Sequence, residues 1–233
     1  MAHATLGWIR FVTDLDFDGP DQDFRQALEL SPGSAWIRSW YADYLAIAGR
    51  FDEAVSQKRQ AIELDPLSVN TSLGLGWVYF KARRYDESIA QLRRTLDLEP
   101  GHFPAHAVLA WNYSQQEMHE AAVAQCDSAI ASAPKPDDAP NCGWVYGRAG
   151  RRQHALGALQ RLTAPPSHHW VDPYEVSIVY VGLGDRDRAL EWLRNAVRER
   201  SQELVFLKVD RMVDSLRSDP RFQALLRELK ITP

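Results

Sequence analysis

The acidic run Asp14-Leu15-Asp16-Phe17-Asp18-Gly19 has the D-x-D-x-D-G order that opens a calcium loop between two helices. Such a loop completes its oxygen cage with a bidentate glutamate at the twelfth position. Here that position is Arg25, a cation directed at a cation site, and Pro20 starts the next helix early. The pattern therefore reads as an acidic inter-helix loop whose carboxylates cap the following helix. His102 and His106 stand four apart, a spacing that could share a metal on one helix face. Pro104 between them puts His102 in the turn before the helix, and no acidic residue or cysteine is in register. His168-His169 lie in an irregular stretch, where solvent exposure is expected. Cys126 and Cys142 fall at inward positions of adjacent helices and read as small core residues. A disulfide between them would need an oxidising compartment. A Gly-rich phosphate loop, a nucleophile elbow, a zinc signature and HExxH are all missing from the sequence. Without an acid, base and nucleophile in register, no enzyme and no cofactor is expected.

The charge balance points the same way. With 27 basic and 31 acidic residues the net charge is −4, which offers no footprint for nucleic acid or an anionic membrane. No stretch approaches the ~18 uninterrupted apolar residues of a membrane span, and MAHATLGWIR lacks the regions of a signal peptide. A soluble, cytoplasmic protein is the default expectation.

What positions these residues is a period. Pro32, Pro66, Pro100 and Pro134 are 34 residues apart, each closing a similar phrase: ALELSP, AIELDP, TLDLEP, AIASAP. Small residues repeat in register at Ala54, Ser88, Ala122, Ala155 and Ala189, and again at Ala42, Gly76, Ala110, Gly143 and Ser177. A tyrosine column runs through Tyr79, Tyr113, Tyr146 and Tyr180. Several columns in register mark an internal repeat, which outranks every local signal. Each unit reads as two helices. In the second, AWIRSWYADYLAIA ends at Gly49-Arg50, and DEAVSQKRQAIEL opens with acidic residues in its first turn and stops at Asp65-Pro66. Close helix crossings suit the small columns, and bulky columns fill the rest.

This 34-residue helix-turn-helix unit resembles the tetratricopeptide repeat (TPR). The resemblance implies an all-α TPR solenoid, a right-handed superhelix of about six repeats over residues 1–204. The repeats would start near 1, 35, 69, 103, 136 and 170, and residues 205–233 would form a capping segment with Phe222, Leu225, Leu226 and Leu229 along one stripe. The phrases GRFDEA, LDPLS, ARRYDES and GLGDRDRALEWL, with LRSDPRF after them, look like the C-terminal arrays of bacterial signalling proteins. In that group the array follows a winged-helix, adenylate-cyclase-like or serine/threonine kinase domain. VDRMVDSLR departs from the group's usual turn. The likeness implies that this chain begins partway through an array. An uncapped first repeat would then be covered by the rest of a longer protein, by a partner or by a second copy.

TPR arrays generally bind an extended peptide or a helix along the concave face made by the first helix of each repeat. The basic residues that clamp a carboxylate in the family's best-known version are not found at the corresponding positions, which include Ser39, Trp40, Asp43, Asn70, Leu73, Gly74 and Trp77. The inward column is aromatic instead: Trp8, Asp43, Trp77, Trp111, Trp144 and Ile178, with Trp36, Trp40 and Tyr174 nearby on the same face. Two readings stay open. Either these rings pack repeat against repeat, or they line a groove that anchors an extended, partly apolar or proline-rich segment. In the second reading Trp77, Trp111 and Trp144 are anchors and Asp43 and Arg148 polar selectors. The expected function is a protein–protein interaction module, and the alternative is the regulatory or sensor part of a larger signalling protein. No nucleic-acid or membrane partner is expected.

Overall fold

A computed structural model describes residues 2–14, 19–134, 141–163 and 172–231. Among these the chain is all-α, with thirteen helices, two short 3-10 segments and no strand. The first compact unit, Met1–Pro100, contains α1 (Ala2–Asp14), α2 (Pro20–Leu30), α3 (Ala35–Ile47), α4 (Phe51–Leu64), α5 (Val69–Lys81) and α6 (Tyr85–Leu98). The second, Gly101–Pro233, contains α7 (Phe103–Gln115), α8 (His119–Ser132), α9 (Cys142–Arg148), α10 (Arg152–Thr163), α11 (Pro173–Gly182), α12 (Arg186–Glu199) and α13 (Pro220–Glu228). Before α13 come the 3-10 turns Gln202–Phe206 and Asp214–Leu216. Helices pair in chain order, α1 with α2 through α11 with α12, and the first helices of successive pairs lie side by side within each unit. The first helices begin at residues 2, 35, 69, 103, 142 and 173. The fifth is short, because α9 has seven residues.

Local chemistry fixes the boundaries. Ser34 and Ser68 cap α3 and α5 by accepting the N–H groups of Ile37 and Thr71, each at 3.3 Å. Asp172 caps α11 by accepting from the Tyr174 N–H at 2.8 Å. The turn inside each pair is also periodic. Gly49, Arg83, Glu117, Gly150 and Gly184 all take left-handed backbone, with φ between 61° and 87°. Each turn is closed by a long back-bond: Arg50 N–H to the Leu45 carbonyl at 2.8 Å, then, in the tyrosine column, Arg84 to Tyr79 at 2.9 Å, Met118 to Tyr113 at 2.8 Å, Arg151 to Tyr146 at 2.8 Å and Asp185 to Tyr180 at 3.0 Å. These are Schellman closures. The tyrosine column thus marks the residue whose carbonyl ends the first helix.

The small columns lie at the crossings. Ala42, Ala54, Ala110, Ala122, Ala155 and Ala189 are fully buried. Ser88 is buried too and donates its hydroxyl to the Gly76 carbonyl at 2.7 Å. A Cβ at Gly76 would stand 2.7 Å from the Leu92 side chain, so no larger residue fits there without moving it. In the first unit Phe11, Phe24, Tyr41 and Tyr44 form an aromatic core, with Phe11 edge-on to Tyr44 at 5.4 Å. At the rim of this core Asp21 accepts from the Tyr41 hydroxyl at 2.8 Å and from Arg50 at 2.5 Å.

Candidate functional site

Of the acidic run at 14–19, residues 15–18 and the Asp14 side chain lie outside the described residues, as do His168 and His169. Arg25, at the would-be twelfth ligand position, is ion-paired with Asp21 at 2.6 Å. His102 is the residue just before α7, and the His106 ring bonds the Gln125 side chain at 2.7 Å. Among the described residues no three His, Cys, Asp or Glu side chains gather as a metal site. Cys126 and Cys142 are neighbours and both are free, buried thiols, with the Cys142 Sγ 3.9 Å from the Cys126 carbonyl. Burial pushes the Cys126 thiol well above the usual range.

The first-helix face differs between the two units. In the first unit α1 and α3 bring Trp8, Trp36 and Trp40 into one cluster, with Trp36 and Trp40 at 4.0 Å and Trp8 and Trp40 at 5.7 Å between ring centroids. Trp36 keeps 40% of its surface in solvent, while Trp8 and Trp40 are half-buried. One turn along α3 sits Asp43, 28% of its side chain exposed. It is not a lone selector, because the buried ammonium of Lys58 reaches it at 2.8 Å and donates to the Ser39 hydroxyl at 2.7 Å. Burial raises the Asp43 carboxyl, and the Lys58 charge opposes that rise. Trp77, on α5, is half-buried, and Lys81 places its ammonium 5.4 Å from the ring centroid.

Lys58 and Lys81 are basic residues that lie outside the clamp positions read from the sequence. The signal for Lys58 was present. It interrupts a column that reads Leu92, Cys126, Leu159 and Leu193 in the later repeats. Opposite it stands Gly74, where an added Cβ would lie 2.5 Å from the ammonium. A charged residue in an apolar column, facing a glycine, is a buried polar site.

In the second unit the expected anchors Trp111 and Trp144 and the expected groove residue Tyr174 are in the interior. Trp144 is 1% exposed, Tyr174 4% and Trp111 7%. They are core side chains in this fold. Arg148, the second expected selector, donates to the Ser114 carbonyl at 3.3 Å and lies 5.3 Å over the Trp144 ring. The C-terminal segment bonds the helices on either side of α9. The Tyr174 hydroxyl donates to Asp210 at 2.6 Å, and the Gln115 amide donates to the Arg211 carbonyl at 3.0 Å. Residues 210–211 therefore touch both α11 and α7, and α9, which carries Trp144, packs beside both. Burial, then the Asp210 charge, drives the Tyr174 phenol well above its ordinary value. On α1, Leu6 and Ile9 are exposed.

Residues 73–139 match the family model of the tetratricopeptide repeat. Among solved structures, PilF of Pseudomonas aeruginosa is 16% identical, with a TM-score of 0.56 and a match covering 88% of this chain and 93% of that one. TTC0263, a thermophilic TPR protein of Thermus thermophilus, is 14% identical with a TM-score of 0.55, covering 99% of this chain and 98% of that one. No curated protein matches the sequence. Residues 73–139 thus match tetratricopeptide repeats, and the periodic helix pairs and these likenesses give the chain the all-α fold of TPR proteins. Among the described residues no helix is long and apolar enough to cross a membrane.

Proposed function

We propose that this chain is a non-catalytic protein-interaction module that takes an extended peptide or a partner helix on the first-helix face of its N-terminal unit. The observation that carries this reading is the Trp8/Trp36/Trp40 cluster. A large ring left 40% in solvent beside two half-buried ones is a surface on which apolar or proline side chains gain burial. Asp43, held in place by the buried Lys58 and 28% exposed, stands next to it and supplies a fixed acceptor for a partner's main chain or polar side chain. Trp77 extends the aromatic face onto α5, with Lys81 against it.

The test is selection of binders from a display library of random peptides. Peptides recovered on the intact chain are then measured against Trp36→Ala and Trp40→Ala, with circular dichroism confirming that both variants stay helical. The reading expects weakened binding by both. It fails if the selected peptides bind these variants as tightly as the parent, or if selection returns none.

A further inference from the structure

After α12 the chain does not pass straight to α13. Ser201 donates its hydroxyl to Asp172, at the start of α11, at 2.7 Å. The chain then meets Tyr174 on α11 and Gln115 on α7, the latter 96 residues away in sequence from its partner Arg211. It returns to the edge of α12, where Arg221 pairs with Asp187 at 2.7 Å. Two devices shape the segment. Asp210 accepts its own Met212 N–H at 3.0 Å, and Arg217 donates to the carbonyls of Leu207, Lys208 and Asp210 at 3.3, 3.0 and 3.0 Å. Around them Leu207, Val209, Met212 and Val213 are buried.

The contacts to the face are those by which a helical surface reads a peptide. One carboxylate meets a buried phenol, one main-chain carbonyl meets a side-chain amide, and the segment that carries them buries its aliphatic side chains. We propose that the first-helix face of the C-terminal unit is a second peptide-binding surface, held in cis by the chain's own Gln202–Arg217 segment. Its partner in trans is a segment of the same chemistry: an aspartate flanked by aliphatic residues, in extended or single-turn form. A tether makes the cis segment a competitor at high effective concentration, so a free segment gains access only once the cis contact is loosened. The inference builds on the reading that first-helix faces take peptides, but its residues are different.

The probe is a fluorescein-labelled synthetic peptide spanning residues 202–217, titrated by anisotropy into the full chain and its variants. Asp210→Ala removes the carboxylate from the cis segment and leaves Tyr174 and Gln115 in place. The peptide is expected to bind Asp210→Ala about tenfold more tightly than the parent chain. That gain should vanish when Tyr174→Phe is added, or when the peptide's aspartate is replaced by alanine. Trp36→Ala should not affect it, so failure here is distinguishable from failure of the N-terminal face. Equal affinity for the parent and Asp210→Ala, or affinity indifferent to Tyr174→Phe, would overturn the proposal. So would loss of helical signal in both Asp210→Ala and Asp210→Asn at a temperature where the parent is folded, because the segment would then be indispensable core.

Discussion

Replacing Trp144 by alanine separates the two meanings of the tryptophan column. A tryptophan buries roughly 150–250 Å², and at about 25 cal/mol per Å² the whole side chain is worth about 4–6 kcal/mol. Trp144 is 1% exposed, so nearly all of this applies. Alanine keeps its methyl but leaves a cavity, which puts the loss in the usual range of about 3–5 kcal/mol. One contact lowers it. The indole N–H of Trp144 is buried with no acceptor among the described residues, and a stranded donor costs about 1–3 kcal/mol that the substitution removes. The expected loss is therefore about 2 kcal/mol and at most about 4 kcal/mol. Trp144→Phe should cost clearly less than alanine, since it discards the donor and keeps most of the area. Trp36, with 40% of its surface already in water, should lose about 2 kcal/mol as alanine and open no cavity. Urea unfolding followed by circular dichroism measures all three, fitted with more than one transition if the two units separate. A loss below about 1 kcal/mol for Trp144→Ala would mean that the ring is not core and would restore it as a surface anchor.

Lys58→Ala should destabilise the N-terminal unit by about 3–5 kcal/mol, because it strands Asp43 and Ser39 beside a cavity. Lys58→Leu combined with Asp43→Asn puts an apolar side chain where the later repeats carry leucine and should recover most of that loss; urea midpoints of the single and double variants decide it. Stability should also fall in alkali. Burial, then the hydrogen bond to Asp21, pushes the Tyr41 phenol up from 10.0 to about 12, and burial raises Tyr174. The unfolded chain therefore loses these protons first as pH rises. Their contribution is intact below about pH 10 and declines above it. Urea midpoints across that range should fall less steeply in Tyr41→Phe/Tyr174→Phe than in the parent, and an identical fall would assign the loss to other groups.

The repeat itself was legible because every unit solves the same local problem. Small residues at crossings, an acidic first turn and a proline stop each act over one or two helical turns, so they recur in the sequence with the period of the fold. The left-handed turn was legible at Gly49 but not at Arg83 or Glu117, where ordinary residues take the same backbone under the Schellman closure. The column of tryptophans at inward positions was also legible, but whether each ring faced solvent was not. Trp36 and Trp144 share a residue type and belong to the same kind of helix, yet one keeps 40% of its surface in solvent and the other 1%.

The tail meets the first helices through contacts without a period. The pairing of Gln115 with Arg211 joins residues 96 apart, and that of Tyr174 with Asp210 depends on a turn of the tail that no repeat unit contains. By itself the sequence determined the helices, their pairing and the small-residue crossings, since those forces act between neighbours along the chain. Only the tertiary structure decided where the face is open and where it is filled. The tail follows the last pair and repeats none of its patterns, so its path is set by the shape of the face it meets and the polar groups waiting there.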